Sequence, residues 1–503
     1  MSSTPEKTKI TFYGGIHEIG GNKFLVEDKG TRIFLDFGQQ IGKFNNYFSE
    51  FVSPRIANCM GDLFEYELLP QLKGIYRKDY SKHMCFGDDK DENSVDAVLL
   101  THAHLDHCAY IHYLRPDIPI YCSEPTKLIM QCLQDIGGEE DYIDYYENFV
   151  TCKNKKDEIS RKTGEHVKVP RQIKIFEDYK EFSIDSISVE PLPVDHSLPG
   201  VCGFIVHTSN GSIAYTGDIR FHGRRTKSSE KFIERCGESD IDVLLCEGTR
   251  IKEEFSKTEL DVESDVKTII NSTENLVICN YPPRDLDRLL SIYNAIKETS
   301  SRYFVIDLKQ AYLLKLFQNS EKWKDVYPRP DDKNIKIYIP RRGWGLIDKD
   351  VNIWTKKQLL QDYLNWMDEF IDYPNSIFYK QIRGGKQNDF LFYCSDFQLQ
   401  ELIDIKPKDN SAYIRSSTEP FNEETKLDQQ RVKRWLSHFG LLNNIDEWYK
   451  VHVSGHGSQD QLKRIIQDSN SKRVVPVHTE NEHYYCKWHN NVDIVDLSSS
   501  IEL

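Results

Sequence analysis

The first half of the chain contains short stretches of four to six residues that are rich in apolar side chains. Stretches of this length that are bounded by glycine-containing turns and polar segments are typical of β-strands. The pattern predicts strands at residues 9–13, 23–27, 31–36, 97–100, 173–176, 187–192, 203–207 and 212–216. Residues 40–95 and 137–170 interrupt the series, and we expect loops or surface insertions there. Residues 88–92 form an acidic run, for which we expect a solvated loop.

From about residue 250 the pattern changes to apolar runs that alternate with segments of helical period. Predicted strands lie at residues 275–279, 302–307, 335–339, 390–393, 412–414, 450–453 and 474–477. Predicted helices lie at residues 285–298, 310–317, 428–437 and 461–467. The alternation predicts a mostly parallel α/β domain. Because candidate catalytic and metal-binding residues occur both before and after this domain, we predict that 249–418 is an insertion between 1–248 and 419–503.

Length and composition limit the classes of protein that need to be considered. A chain of 503 residues exceeds the roughly 250–300 residues at which single cores stop growing, so two domains are expected. The formal charge of −14 argues against broad attraction to nucleic acid but leaves room for a local positive groove. The twelve cysteines include no Cys-x-x-Cys pair, which favours reduced thiols. Without an apolar membrane span or signal segment, we expect a cytoplasmic protein with no membrane partner.

The sequence His102-x-His104-x-Asp106-His107 follows the predicted strand 97–100 directly. Imidazole nitrogens and a carboxylate suit zinc and related divalent ions. Alternating positions can serve one ion while the Asp-His pair reaches a second. A lone histidine is more often a core or surface residue, but four candidate ligands at this spacing favour a metal site. The sequence therefore predicts a metal-dependent hydrolase.

Two further ligands each follow a predicted strand. His196 stands after the strand 187–192, and Asp218 stands after the strand 212–216. A carboxylate between two cations can bridge them, which is the role we expect for Asp218. The alternatives are a turn residue for His196 and a helix cap for Asp218.

Together these residues resemble the metallo-β-lactamase fold and, within it, the β-CASP nuclease family of the ribonuclease J type. The resemblance covers most of the chain. Its opening motifs are Gly14-Gly15-x-x-Glu18-Ile19-Gly20-x-Asn22 and Leu35-Asp36-Phe37-Gly38. Later motifs are matched by the ligands above, by Glu247 (motif A), by His452 to Ser458 (motif B) and by His478 (motif C). The resemblance implies an α/β architecture, namely an αββα sandwich with an inserted α/β β-CASP domain.

The resemblance also implies roles for these residues. One ion would be held by His102, His104, His196 and Asp218, and the other by Asp106, His107, Asp218 and His478. Asp36 would orient the cluster from behind the ligands. The expected cofactor is two zinc ions per chain, with manganese as the alternative. A histidine in motif C accompanies RNA processing in this family, so the expected partner is single-stranded RNA.

Two departures from the family pattern concern the oligomeric state and the access of substrate rather than the metal chemistry. The interval from Asp36 to His102 is longer than in typical members, and His17 stands where a small residue is usual. These departures leave the oligomeric state open, with a homodimer as one alternative, and they leave the access route of the substrate open.

A phosphodiester bond is hydrolysed by in-line attack of water on phosphorus. Two metal ions about 3.5–4 Å apart can activate the water and neutralise developing charge. We predict that Asp106 holds the attacking oxygen and that His456 gives a proton to the leaving 3′ oxygen. Glu247 would keep His456 protonated and correctly turned. The alternative for His456 is a structural histidine in a turn.

Five residues are candidates for contacts with substrate phosphates. Ser454, Gly455 and Ser458 surround a predicted helix start, where exposed amides can cradle an anion. A plain glycine turn with Ser458 as N-cap is an equal alternative. Arg284 and Ser417 follow predicted strands of the α/β domain, where such sheets place ligand contacts. For Arg284 a solvated arginine at a helix start is favoured, and for Ser417 a polar loop is an equal alternative.

A basic cluster follows Asp218 and could guide a nucleic-acid strand towards the metals. It consists of Arg220, Arg224, Arg225 and Lys227.

The leading hypothesis is a ribonuclease that leaves 5′-phosphates, with 5′→3′ exonuclease activity favoured and endonuclease activity as a further option. A hydrolase of small esters or thioesters is disfavoured by the inserted domain and by the histidines of motifs B and C. A non-catalytic scaffold of an RNA-processing complex is disfavoured because every expected ligand position is filled. A DNA nuclease of the same family is the remaining alternative.

Overall fold

The computed structural model describes residues 7–49, 51–81, 94–137, 141–147, 151–161, 168–255, 257–299, 302–347, 353–418, 423–442 and 447–503. The acidic run at 88–92 lies outside these residues. The chain forms two compact units. The first unit contains Met1–Phe255 and Gly455–Leu503, and the second unit contains Ser256–Ser454. Strands and helices are numbered in chain order.

The first unit contains two large sheets. One consists of β1 (Lys9–Phe12), β2 (Phe24–Asp28), β3 (Thr31–Leu35), β4 (Ala97–Leu99), β5 (Ile120–Cys122), β10 (Ile173–Ile175) and β24 (Ser500–Glu502), in the order β10-β5-β4-β3-β2-β1-β24. The other consists of β11 (Phe182–Ile184), β12 (Ile187–Pro193), β13 (Cys202–His207), β14 (Ser212–Tyr215), β15 (Ile241–Glu247) and β23 (Arg473–Val477), in the order β11-β12-β13-β14-β15-β23.

The apolar faces of these two sheets share one core. Phe24 of β2 packs edge-on against Tyr215 of β14, with ring centroids 5.5 Å apart. Buried residues of both sheets join the same hydrophobic cluster, which includes Phe12, Phe204 and Val475. The helices of this unit are α1 (Ile41–Asn45), α2 (Gly61–Glu65), α3 (Lys78–Ser81), α4 (Leu105–Cys108), α5 (Glu124–Asp135), α6 (Thr226–Glu238) and α15 (Gln459–Asp468).

The two predicted insertions contain regular structure in their described parts. The segment 40–95 contributes α1, α2 and α3. The segment 137–170 contributes two antiparallel hairpins, which are formed by β6 (Asp144–Tyr146) with β9 (Lys168–Pro170) and by β7 (Thr151–Lys153) with β8 (Ile159–Arg161).

The second unit is built on one parallel sheet. Its strands are β16 (Val277–Asn280), β17 (Tyr303–Ile306), β18 (Ile335–Tyr338), β19 (Ser376–Ile377), β20 (Phe390–Tyr393), β21 (Ala412–Arg415) and β22 (Tyr449–Lys450), in the order β19-β18-β17-β20-β16-β21-β22. Its helices are α7 (Glu259–Ser272), α8 (Leu286–Thr299), α9 (Leu308–Gln318), α10 (Lys356–Leu360), α11 (Asn365–Ile371), α12 (Tyr379–Gly384), α13 (Glu401–Ile405) and α14 (Glu423–His438). The predicted fold class, an αββα sandwich with an inserted α/β domain, is confirmed by this architecture.

The division into units differs from the predicted boundaries, above all at the return to the first domain. The sequence places this return at residue 419, whereas the structure places it at Gly455. The reason is packing: Leu436 of α14 and Trp448 are buried in the core of the second unit, and β22 pairs with β21.

None of the helices in the described part of the chain combines the length and the apolar character that a membrane-spanning helix needs.

Candidate metal centre

The histidine-rich loop lies at the carboxyl end of β4 and runs into α4. Backbone hydrogen bonds from two neighbouring segments hold it in place. The amide of Gly21 donates to the carbonyl of Asp106 at 2.9 Å, and the amide of Phe37 donates to the carbonyl of His107 at 2.8 Å. A Cβ at Gly38 would lie 1.7 Å from the Asp106 carbonyl oxygen, so only glycine fits there. The segments that contain the opening motifs therefore support the backbone of the histidine-rich loop.

A first group of potential ligands consists of His102, His104, His196 and Asp218, whose donor atoms all lie within 4.8 Å of one another. Nε2 of His102 and Nε2 of His196 lie 2.9 Å and 3.1 Å from Nδ1 of His104. The Asp218 Oδ2 atom lies 3.5 Å from His102 and 3.6 Å from His196. Because nitrogen lone pairs that converge on one point repel each other, this arrangement fits a shared cation.

A second group consists of Asp106, His107 and His478. The Nε2 atom of His478 lies 3.2 Å from Asp106 Oδ2. The other oxygen of Asp218, Oδ1, lies 3.3 Å from His107 Nε2 and 3.6 Å from His478 Nε2. Although close together, His107 Nε2 and Asp218 Oδ1 are buried and make no hydrogen bond of acceptable geometry within the described residues. A buried polar atom without a partner is costly, so both atoms fit metal ligation.

A third grouping overlaps the second and contains Asp218, Glu247, His456 and His478. Nδ1 of His456 lies 3.1 Å from both oxygens of Glu247 and 3.9 Å from Asp218. The Glu247 carboxylate is itself fixed by backbone amides, those of Ile219 at 3.0 Å and Thr249 at 3.1 Å. The geometry therefore suits either a histidine oriented by a carboxylate or a further ligand position.

A layer of polar groups behind the ligands fixes the imidazole rings. Asp36 accepts hydrogen bonds from the Thr101 amide at 2.8 Å and the Tyr215 hydroxyl at 2.7 Å, and it lies 2.8 Å from His107 Nδ1. The Nδ1 atom of His478 is 2.8 Å from the Thr249 hydroxyl. With Nδ1 engaged in this way, Nε2 faces the centre, as is common for metal-bound histidines.

The Nδ1 atoms of two further ligands are engaged in the same way. Nδ1 of His102 lies 2.9 Å from the Thr101 hydroxyl, and Nδ1 of His196 contacts the Gly455 carbonyl. Sequence reasoning found Asp36 through its motif but missed Thr101, Thr249 and Tyr215. The position of Thr101 directly before His102 was the available signal.

Two residues of the centre adopt backbone conformations that side chains other than glycine rarely adopt. Asp36 has φ of 56° and His478 has φ of 52°. Such conformations cost about 1–3 kcal/mol each and concentrate at functional sites.

Burial and the surrounding charges act in opposite directions on the pKa values of the cluster. Burial lowers the pKa of His102 and of His196 well below the usual value. Burial also opposes the charged form of His478, but Asp218 and Asp106 outweigh it and raise the pKa of His478 to about 9. The pKa of Asp218 lies well below its usual range, because the nearby imidazoles overcome the effect of burial. The low pKa of Asp218 favours its ionised form, which is the form that a carboxylate needs in order to bind a metal ion.

The predicted phosphate contacts are divided between the units. Gly455 and Ser458 belong to the first unit, where Ser458 is the N-cap of α15 and accepts a hydrogen bond from the Gln461 amide. Arg284, Ser417 and Ser454 belong to the second unit. The predicted basic guide after Asp218 needs a correction, because Arg220 is buried and pairs with Asp195 at 3.2 Å.

Two segments of the chain match known protein families. Residues 81–272 match the family described as "Beta-lactamase superfamily domain", and residues 447–485 match "Zn-dependent metallo-hydrolase RNA specificity domain". All the ligand candidates lie in these segments. Residues 81–272 therefore carry a domain of the β-lactamase superfamily. The prediction of a metal-dependent hydrolase is confirmed, and the buried His and Asp groups fit a dinuclear site.

Known proteins similar to this metallo-hydrolase extend over nearly its whole length. Ribonuclease J of Pyrococcus abyssi (strain GE5 / Orsay) is 24% identical over 506 residues, covering 94% of this chain and 90% of that protein. Ribonuclease J of Mycolicibacterium smegmatis is 26% identical over 485 residues, covering 94% of this chain and 69% of that protein. The crystal structure of a protein of unknown function from Enterococcus faecalis V583 shares the fold, with a TM-score of 0.70, 23% identity and coverage of 99% of this chain and 100% of that one. The chain is thus a distant full-length homologue of ribonuclease J.

Proposed function

We propose that the protein is a two-metal ribonuclease of the β-CASP type that hydrolyses phosphodiester bonds of single-stranded RNA. The observation that carries this proposal is the placement of Asp218, whose Oδ2 faces one group of histidines while its Oδ1 faces another. The match of residues 447–485 to an RNA specificity domain and the full-length similarity to ribonuclease J support RNA as the polymer.

The donor set supports two zinc ions, with manganese as the alternative. His102, His104, His196 and Asp218 would hold one ion, and Asp106, His107, Asp218 and His478 the other. When bound, the ions would supply activation of water and neutralisation of charge on the phosphate. Asp36 would hold His107 in its orientation, and Asp106 would accept a hydrogen bond from the attacking water.

His456 would act as the general acid. Its Nδ1 atom faces Glu247, so Nδ1–H would donate to the carboxylate and Nε2 would give a proton to the leaving 3′ oxygen. The products would carry 5′-phosphates. We propose 5′→3′ exonuclease activity, with endonuclease cleavage as a further option, and contacts of Ser454, Gly455, Ser458, Ser417 and Arg284 with substrate phosphates.

Labelled single-stranded RNA and DNA test this proposal. Oligonucleotides labelled at the 5′ or the 3′ end are incubated with zinc, with manganese or with a chelator. We expect metal-dependent cleavage of RNA that releases 5′-labelled mononucleotides first. The Asp218→Ala variant, purified identically, controls for contaminating nucleases. Cleavage of DNA in preference to RNA would favour a DNA nuclease, and no cleavage of either polymer with any metal would overturn the proposal.

A further inference from the structure

The carboxyl edge of the parallel sheet in the second unit carries two highly exposed aromatic side chains. All strand pairs of this sheet are parallel, so the segments that follow the strands emerge at the same edge. Phe397 follows β20 and is 92% exposed, and Trp344 follows β18 and is 84% exposed. In open α/β sheets this edge is where ligands bind.

The turn that carries Phe397 is fixed on both sides. Asp396 accepts a hydrogen bond from the Asn280 side chain at 2.6 Å and pairs with Arg415 at 3.1 Å. On the other side, the Gln398 side chain donates to Asp307 at 3.2 Å. Contacts to the ends of β16, β17 and β21 thus hold the backbone on either side of Phe397, whose side chain is 92% exposed. An exposed ring on an anchored turn loses little conformational entropy on binding.

The turn that carries Trp344 is anchored in a similar way. The Trp344 amide donates to Asp362 at 2.8 Å, and the Gly345 amide donates to the Arg342 carbonyl at 2.7 Å. Arg341 makes a two-pronged ion pair with Asp404, at 2.7 Å and 3.0 Å. Arg342 precedes Trp344 by two residues in the same turn and is exposed. This turn therefore carries both an exposed aromatic side chain and an exposed cationic side chain.

Two side chains on neighbouring loops of the same edge have polar atoms of the kind that bind phosphate. Within the described residues, Nη1 of Arg284 and Oγ of Ser417 are buried and have no hydrogen-bond partner. Arg284 follows β16, and Ser417 follows β21, both of which lie next to each other in the sheet. Neighbouring strands are about 4.8 Å apart, so the edge from β18 to β21 spans the length of a short run of nucleotides.

We propose that this edge is a binding track for single-stranded RNA, on which Phe397 and Trp344 stack nucleobases while Arg284, Ser417 and Arg342 contact phosphates. Rings that alternate with cations are typical of surfaces that bind single strands without sequence preference, because every base has an aromatic face. A protein partner would instead favour a continuous apolar patch. The choice of RNA as the occupant rests on the proposed function.

Fluorescence anisotropy of the full-length protein with a labelled oligoadenylate RNA that carries a hydrolysis-resistant backbone tests the track. We expect Phe397→Ala to weaken binding about 10-fold and Phe397→Leu to weaken it equally, whereas Phe397→Trp retains it. Trp344→Ala should weaken binding further when combined with Phe397→Ala. The control is Tyr303→Ala, which removes an exposed ring from the opposite edge of the same sheet and should leave affinity unchanged.

Three results would overturn the inference. The first is wild-type RNA affinity in Phe397→Ala, and the second is retention of RNA affinity in Phe397→Leu, which would indicate an apolar protein contact. The third is a loss of RNA affinity in Tyr303→Ala as large as that in Phe397→Ala. Hydrolysis of bis(4-nitrophenyl) phosphate, which has no chain of nucleotides to occupy the track, should be the same in all variants. If the wild-type protein binds RNA through these rings but hydrolyses neither RNA nor the small diester, the proposed function fails and the track stands.

Discussion

Nδ1 of His456 lies 3.1 Å from both carboxylate oxygens of Glu247, 209 residues away along the chain. This pair lies at the edge of the metal cluster, with His456 only 3.9 Å from Asp218. The contact is compatible with both roles that the sequence leaves open, a proton donor turned by a carboxylate and a structural histidine. A third role, metal ligation, is also compatible with the distances.

Replacement of His456 by alanine distinguishes these roles. We expect RNA hydrolysis to fall about 100-fold or more, because general acid catalysis contributes roughly 10²–10⁴ in rate. Hydrolysis of a 4-nitrophenyl phosphodiester should fall much less, because its leaving group departs without a proton. Metal analysis should find two ions per chain as in the wild type, and a large loss of metal would assign His456 as a ligand instead.

Replacement of single candidate ligands should lower the number of bound metal ions, and the size of the loss should depend on which ligand is replaced. His478→Ala should retain about one ion per chain, because His478 is not part of the group formed by His102, His104, His196 and Asp218. Asp218→Ala should lose most of both, because its two oxygens face both groups. Mass spectrometry of the purified variants gives the metal content. The control is His438→Ala, which removes an exposed histidine at the end of α14. If Asp218→Ala still bound two ions, Asp218 would not bridge the two ligand groups.

Replacement of Asp36 by asparagine should weaken metal binding by about 10- to 100-fold, as is typical for groups that orient metal-bound histidines. Asp36 accepts several hydrogen bonds at once, and Tyr215→Phe removes just one of them. We therefore expect a smaller effect for Tyr215→Phe in competition titrations with a zinc indicator. Equal affinity in Asp36→Asn and wild type would show that the Asp36 contacts are only structural.

Lys23 should make stability depend on pH. Its ammonium group is fully buried, and burial lowers its pKa to about 7, although Glu18 acts in the opposite direction. At pH values between the folded-state pKa of about 7 and the ordinary pKa of 10.5, the unfolded chain binds more protons than the folded chain. The free energy of unfolding therefore rises with pH in this range. Relative to Lys23→Met, the free energy of unfolding of the wild type should increase by about 2 kcal/mol from pH 7 to pH 9. Urea unfolding of both proteins at the two pH values measures the difference, and a constant difference would contradict the burial of a titrating amine.

The identities of the chemical groups were accessible from the sequence alone. The spacing of His102, His104, Asp106 and His107 after an apolar strand predicted a metal loop, and the same logic of strand ends found His196 and Asp218. The parallel α/β character of the inserted domain followed from the alternation of strands and helices, which is a local property, whereas the αββα sandwich was implied by the resemblance to the metallo-β-lactamase fold. The boundary at residue 419 did not follow, because the burial of Leu436 and Trp448 depends on packing with distant strands.

The tertiary structure decided which of these groups meet and in which orientation. In the register of the parallel pair β15 and β23, Glu247 lies opposite Val477, and this places His478 beside Gly248 and within 3.2 Å of Asp106. Such contacts join residues more than 200 positions apart, so they depend on the pairing of whole strands and on the closure of long loops rather than on local patterns. The sequence by itself determined what kind of atoms this protein offers to a metal and to a phosphate. Only the fold determined that Asp218 turns one oxygen to each group of histidines and that Thr101, Thr249 and Gly455 orient the rings around it.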